Sequence, residues 1–192
     1  MRVIAGEAGG IRLDVPKNDV RPTMDRVKAA IFSSLGNEVI GARVLDLFAG
    51  TGALGIEALS RGAASAVFVE ENSAALAVIE RNLARTRLAG HIRRQDVFAF
   101  LRSTQTHEPF QIIFADPPYD KTKAGGEFTS LLLEDTQLAE MLEPSGLFVL
   151  EKRPSEKMPP MPLWNVVRAR AYGATEVLFL QRAGLPGEVR AR

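Results

Sequence analysis

The chain has 192 residues, 24 Lys and Arg against 23 Asp and Glu, a formal charge of +1 and a pI near 8.1. That balance excludes a strongly basic nucleic-acid coat while leaving room for a local basic patch, and the lack of cysteine excludes disulfides, thiolate metal sites and thiol nucleophiles. With only His91 and His107, no apolar run near the roughly 20 residues of a membrane span and no apolar leader in MRVIAGEAGG, the expectation is a soluble, cytoplasmic protein without a metal or a membrane partner.

The opening Arg2–Val15 alternates around Gly9-Gly10 and predicts a β-hairpin. After a loop bracketed by Pro16 and Pro22, Thr23 is expected as the N-cap of a helix with Val27, Ala30, Ile31 and Leu35 on one face and Gly36 as its stop. RVLDLF from Arg43 reads as a buried strand, followed by a glycine-rich turn and a helix over 53–61. SAVFVE is a second strand, and Ser73 is expected to cap a helix to about Leu88. A short strand around Ile92-Arg93, a helix over 97–101 and the strand QIIFAD follow, with His91 and His107 expected in loops. A single helix over 128–142 is predicted before Pro144-Ser145-Gly146 and the strand LFVLEK. WNVVRARAY and TEVLFLQR flank Gly173-Ala174 as an antiparallel hairpin.

Strands alternating with helices imply an α/β fold: a mostly parallel, Rossmann-like sheet covered by helices, closed by a C-terminal antiparallel hairpin. The expected division is an N-terminal hairpin-and-helix extension over 1–40, a catalytic unit over 41–182 and a tail over 183–192. Nothing in the sequence demands a partner chain, so a monomer is expected. In such sheets ligands sit beyond the carboxyl ends of the strands.

Gly50, Gly52 and Gly55 match G-x-G-x-x-G, which taken alone is a weak dinucleotide signal or a bare strand-to-helix turn. Asp46, at the end of the preceding strand, decides between ligands. A carboxylate there opposes a pyrophosphate but suits the ammonium of S-adenosylmethionine. Phe48, Ala49, Gly50, Thr51 and Gly52 would form the loop around that cofactor. Glu70, ending the second strand, can accept both ribose hydroxyls. Asp96 can accept from the adenine amino group with Val97 and Phe98 packing nearby, or simply N-cap the next helix.

Asp116-Pro117-Pro118-Tyr119 follows a buried strand and so lies at the same ligand edge. An exocyclic base amine is a poor nucleophile because its lone pair is delocalised. The Asp116 carboxylate and the Pro117 carbonyl can hold its two N–H groups and turn the lone pair toward a methyl donor. Prolines fix φ and stiffen the loop, and Tyr119 offers a face for an extruded base. An ordinary proline turn is the plain alternative.

LDLFAGTGALGIEALSRGA with ADPPY resembles the class I methyltransferases that modify amino groups of adenine or guanine. RVIAGEAGGIRLDVP followed by RPTMDRVKAAIF narrows the resemblance to the bacterial D-type 16S rRNA guanine-N2 methyltransferases, over nearly the whole chain. The resemblance implies methylation of a guanine N2 in 16S rRNA, with the small ribosomal subunit as partner and S-adenosylmethionine as cofactor. It implies that Asp46, the Gly50–Gly52 loop and Glu70 hold the cofactor, with Asp96 near adenine. Asp116, Pro117, Pro118 and Tyr119 then hold the base, and the segment from Arg21 lies over the RNA entrance. Arg21, Thr23, Arg26 and Lys28 are the expected nucleic-acid residues, with Arg2 and Arg12 on the hairpin; a solvated face is the alternative. Rival readings are an adenine-N6 methyltransferase, a non-catalytic ribosome-assembly factor and an NAD-dependent dehydrogenase. The lack of a separate DNA-recognition segment, the intact Asp46, Gly50, Gly52 and Asp116, and the acid at position 46 weigh against them in turn.

Overall fold

The central apolar runs in this chain become strands buried on both faces, covered by the amphipathic stretches between them, whereas HIRR and WNVVRARAY form largely exposed edge strands. The computed structural model describes residues 1–15, 23–104, 108–118 and 127–184. In chain order the elements are α1 (Thr23–Leu35), a 3-10 turn (Gly36–Val39), β1 (Arg43–Leu47), α2 (Ala53–Ser60), β2 (Ser65–Glu70), α3 (Ser73–Thr86), β3 (His91–Arg94), α4 (Val97–Ser103), β4 (Phe110–Ala115), α5 (Glu127–Glu134), α6 (Thr136–Met141), β5 (Leu142–Lys152), β6 (Trp164–Tyr172) and β7 (Thr175–Arg182).

The strands make one seven-stranded sheet in the order β3-β2-β1-β4-β5-β7-β6. β3 through β5 are parallel, whereas β7 runs antiparallel to both β5 and β6. The chain builds outward from β1 to β3, then returns to the other side of β1 with β4. That reversal is the switch point at which open α/β sheets bind ligands.

Period-two alternation sorts the strand residues into two cores. Val44, Phe68, Phe114 and Val149 share the first with Val27, Ile31, Phe32 and Leu35 of α1. Leu47, Val69, Ala115 and Leu150 share the second with Val97, Leu101, Leu132, Leu138 and Trp164. The α1 residues recur at helical spacing, and the Phe32 and Phe114 ring centroids stand 5.6 Å apart. Trp164 is a packing residue: its indole donates to the Leu133 carbonyl at 2.9 Å and it is 3% exposed.

The N-terminal segment is tied down by Glu57 of α2. Its carboxylate accepts the Ile4 amide at 2.7 Å, the Ala5 amide at 3.1 Å, Lys28 Nζ at 2.9 Å and Arg61 Nε at 2.7 Å. Burial works against this charge, but Lys28, the Ile4 amide and Arg61 outweigh it and hold the carboxyl below its usual range. The segment pairs with itself through one antiparallel bridge, Arg2 with Arg12, supported by Val3 N to Ile11 O at 2.9 Å. The expected ladder is therefore reduced to that bridge and a broad loop, because the Ile4 and Ala5 amides bond to Glu57 rather than across the hairpin.

Local boundaries differ from the sequence expectation for identifiable reasons. Asn72, not Ser73, caps α3, its side chain accepting the Ala74 and Ala75 amides at 2.9 and 3.2 Å. The single helix expected over 128–142 is two helices, because Asp135 accepts the Leu138 amide at 2.8 Å and starts α6 afresh. β5 begins at Leu142, ahead of the proline and glycine, and a register shift between Phe110 and Ile112 of β4 absorbs the extra residues. His91 opens β3 rather than lying in a loop, whereas His107 and the tail from 185 onward lie outside the described residues.

Candidate active site

The strand ends bring four carboxylates together. Asp46 pairs in register with Phe68 of β2 and Phe114 of β4. Val69, Leu47, Ala115 and Leu150 form the next row. Glu70, Asp116 and Glu151 each follow that row by one residue. Alternation turns them to the face that carries Asp46.

Asp46 is 2% exposed, and its Oδ2 accepts the Gly55 amide at 2.9 Å. Burial pushes its carboxyl up to about 8, against the Gly55 hydrogen bond and with the help of the Asp116 and Glu70 charges. Glu151 is raised well above the carboxylate range by burial and by the charges of Asp116 and Asp46. None of Asp46, Glu70 and Glu151 is in an ion pair with another described residue. Such crowding repels a phosphate and favours a ligand that brings positive charge and hydrogen-bond donors.

The loop after β1 is shaped to present backbone. Phe48, Gly50 and Gly52 have φ of 55°, 54° and 75°, the left-handed region. A Cβ on Gly50 would meet only the Phe48 carbonyl, 3.9 Å away, so this turn faces open space. Gly50 N donates to Glu70 Oε2 at 2.9 Å and Asn72 N to Oε1 at 2.8 Å, which fixes the carboxylate at the mouth of the loop. A carboxylate has about four acceptor sites, so Glu70 keeps capacity for a diol. Ala49 donates from its amide to Val69 O at 3.1 Å, and the Thr51 carbonyl accepts Asn82 Nδ2 at 2.9 Å. Gly55, the third glycine of the pattern, is there for packing, since a Cβ would overlap the Phe68 ring.

Asp96 caps α4 through Oδ1 and the Ala99 amide at 2.8 Å, and it is exposed. The Val97 side chain, 3% exposed, is spent in the second core. Aromatic rings stand beside this edge instead: Phe48, Phe98 and Phe128 have centroids 5.7–6.2 Å apart, and Phe98 and Phe128 are stacked. After β4, Asp116 is half-buried, Pro117 buried and Pro118 exposed, while Tyr119 lies outside the described residues. A recess of about 580 Å³ lies at the amino ends of β4 and β5, near Gln111 and Leu147. It holds neither the glycine loop nor the Asp-Pro-Pro turn, and parallel sheets bind at the carboxyl ends, so the site is the carboxylate cluster.

Comparison with known proteins places this geometry. The family model described as conserved hypothetical protein 95 matches residues 1–181. The Escherichia coli (strain K12) ribosomal RNA small subunit methyltransferase D is 36% identical over 95% of this chain and 90% of its own length. The chain belongs to the small-subunit ribosomal RNA methyltransferase D family. Among solved structures, yhhF of Escherichia coli is 33% identical with a TM-score of 0.78, covering 95% of this chain and 97% of that one. The Thermus thermophilus 16S rRNA N2 G1207 methyltransferase, solved with AdoMet and guanosine, is 26% identical with a TM-score of 0.70, covering 87% of this chain and 44% of that one.

For this family member the expected nucleic-acid residues divide. Arg26 on α1 is exposed, as are Arg2 and Arg12. Thr23 is the first residue of α1 rather than a residue ahead of it, and Arg21 lies outside the described residues. Lys28 is a correction: it is 3% exposed, and its ammonium is held by Glu57 and by the Arg2 carbonyl at 2.6 Å. It cannot contact a phosphate while it neutralises that buried carboxylate. Glu151 and Phe128 stand beside the strand-end cluster, and sequence reading did not single them out. The signal for Glu151 was its place at the end of LFVLE, matching Glu70 at the end of SAVFVE.

Proposed function

We propose that this protein transfers a methyl group from S-adenosylmethionine to the exocyclic N2 amine of a guanine in 16S rRNA of the small ribosomal subunit, acting as a cytoplasmic monomer. The observation that carries the reading is the set of Asp46, Glu70, Asp116 and Glu151 at the switch point, with the left-handed glycine loop beside it. Residues 1–40 serve as an extension over the catalytic unit at 41–182. The bound AdoMet and guanosine of the Thermus thermophilus structure support both halves of the proposal.

Asp46 and the Gly50–Gly52 backbone would hold the cationic methionine end, Glu70 the ribose, and Asp96 with the phenylalanine rings the adenine. S-adenosylmethionine supplies a methyl group on a sulfonium sulfur, already electrophilic. The protein's task is therefore positioning and electrostatics. Asp116 and the Pro117 carbonyl take the two N–H groups of the base amine and aim its lone pair. With the donor held there, attack of the nitrogen on its methyl carbon would break the carbon–sulfur bond, the electron pair staying with sulfur. The proton shed by the nitrogen passes to the Asp116 carboxylate and on to solvent.

Asp116→Ala separates base holding from cofactor holding. Methyl transfer to small subunits should fall at least about 100-fold, while calorimetric affinity for S-adenosylmethionine stays within a few fold. Full activity in this variant would remove Asp116 from the reaction.

A further inference from the structure

Glu151 lies beyond every motif used above, yet the sheet delivers it to the same spot. Ala115 pairs with Leu150, so Asp116 and Glu151 emerge side by side from adjacent strands, about 4.8 Å apart in backbone. Both follow first-core residues by two, Phe114 and Val149, so both turn toward the face of Asp46. Glu151 is fixed from its other side by antiparallel pairing with Val177 of β7. Its neighbour Lys152 is engaged elsewhere, with Glu176 at 2.8 Å. The Glu151 carboxylate makes no hydrogen bond or ion pair with another described residue. Glu151 is half-buried, and a carboxylate partly withdrawn from water without a protein donor is stabilised when a ligand supplies one.

We infer that Glu151 is the residue that selects guanine, its carboxylate accepting the N1–H of the target base while Asp116 and the Pro117 carbonyl hold the adjacent N2 amine. This rests on the proposed base-methylating function and adds the choice of base, which Asp-Pro-Pro-Tyr leaves open. Guanine carries two neighbouring donors on its Watson–Crick edge, N1–H and the N2 amine. Two carboxylates on adjacent strands match that pair. Adenine presents an acceptor, N1, beside its amine, and a carboxylate facing it meets lone pair against lone pair. A site built to receive a hydrogen-bond donor rejects an analogue that lacks it far more strongly than shape alone can. Burial and the charges of Asp116 and Asp46 raise the Glu151 carboxyl, and a bound N1–H donor stabilises the ionised form on which the rejection of a bare N1 depends.

The test uses small subunits from cells lacking the protein, radiolabelled S-adenosylmethionine, and two nucleosides as competitors. Guanosine has N1–H; 2-aminopurine riboside keeps the amine at position 2 but has a bare N1. Guanosine should compete with the wild-type protein at least about 10-fold better than 2-aminopurine riboside. Glu151→Gln, which can donate to a bare N1, should lose roughly 10- to 100-fold in single-turnover rate. It should keep S-adenosylmethionine affinity within about threefold and erase the preference between the nucleosides. A wild-type protein indifferent to the two nucleosides overturns the assignment without any variant having to fold. So does Glu151→Gln at full rate, or at a reduced rate with the preference intact. If the wild-type protein yields no N2-methylguanosine at all, the proposed function fails rather than the role of Glu151.

Discussion

Asp46 gives the protein a pH signature that can be worked out at a single residue. Its carboxyl is raised from 3.8 to about 8 by burial, with the Asp116 and Glu70 charges adding to it. A raised folded-state value means that folding takes up a proton between those limits. The contribution favours the folded state below about pH 3.8 and is lost as pH rises through about 8. Asp46→Asn keeps an acceptor for the Gly55 amide and removes the charge. At pH 8 it should be more stable than wild type by about 1–3 kcal/mol in chemical denaturation, yet bind S-adenosylmethionine at least about 10-fold more weakly. Conversely, cofactor binding to the wild-type protein at pH 7 should release close to one proton, read as a buffer-dependent binding enthalpy. Unchanged affinity in Asp46→Asn would remove the ammonium assignment. At this scale the sequence was informative wherever a residue's position relative to a strand end identified it: Asp46, Glu70 and Asp116 all lie where strand ends placed them. Lys28 was not legible in that way, because nothing local reveals that α1 turns it onto Glu57, 29 residues away in sequence. Glu151 was missed for the same kind of reason, since only sheet register sets it beside Asp116.

Among the elements, α2 joins the site to the N-terminal segment. Its first turn carries Gly55 against Phe68, and its middle carries Glu57 against Lys28, Ile4 and Ala5. Gly55→Ala would force the Phe68 ring, which is fully buried, to move; overpacking of this kind costs about 1–3 kcal/mol. Glu57→Gln would leave the Lys28 ammonium buried without its counter-charge, a loss of about 3–5 kcal/mol measured by denaturant unfolding near neutral pH. Because the Glu57 carboxyl is held below its usual range, its stabilisation is present above about 4.5 and fades as pH falls through the lower folded value. The difference between wild type and Glu57→Gln should therefore shrink in acid; a gap that stays constant down to pH 3 would show the carboxylate contributes through packing alone. Strand and helix identities were readable from apolar periodicity. The break at Asp135 was not, because a capping aspartate inside an amphipathic run leaves the apolar spacing intact.

For the molecule as a whole, the alternation of strands and helices and the closing hairpin at Gly173 were enough to specify a parallel sheet with an antiparallel edge. The sheet order, with β7 inserted between β5 and β6, is set by long-range pairing that no local sequence signal reveals. On the proposed function, a formal charge of only +1 with Lys28 withdrawn into the interior would leave affinity for RNA to fit against a structured surface plus few phosphate contacts. Arg26→Ala should accordingly weaken subunit binding only a few fold and flatten its salt dependence by about one unit of slope, with S-adenosylmethionine affinity unchanged. The measurement that tests the central claim most directly takes small subunits from cells lacking the protein, incubates them with the purified chain and radiolabelled S-adenosylmethionine, digests the rRNA and identifies the labelled nucleoside. Label on N2-methylguanosine is the result predicted here; label on N6-methyladenosine, or none while the cofactor still binds, would contradict it.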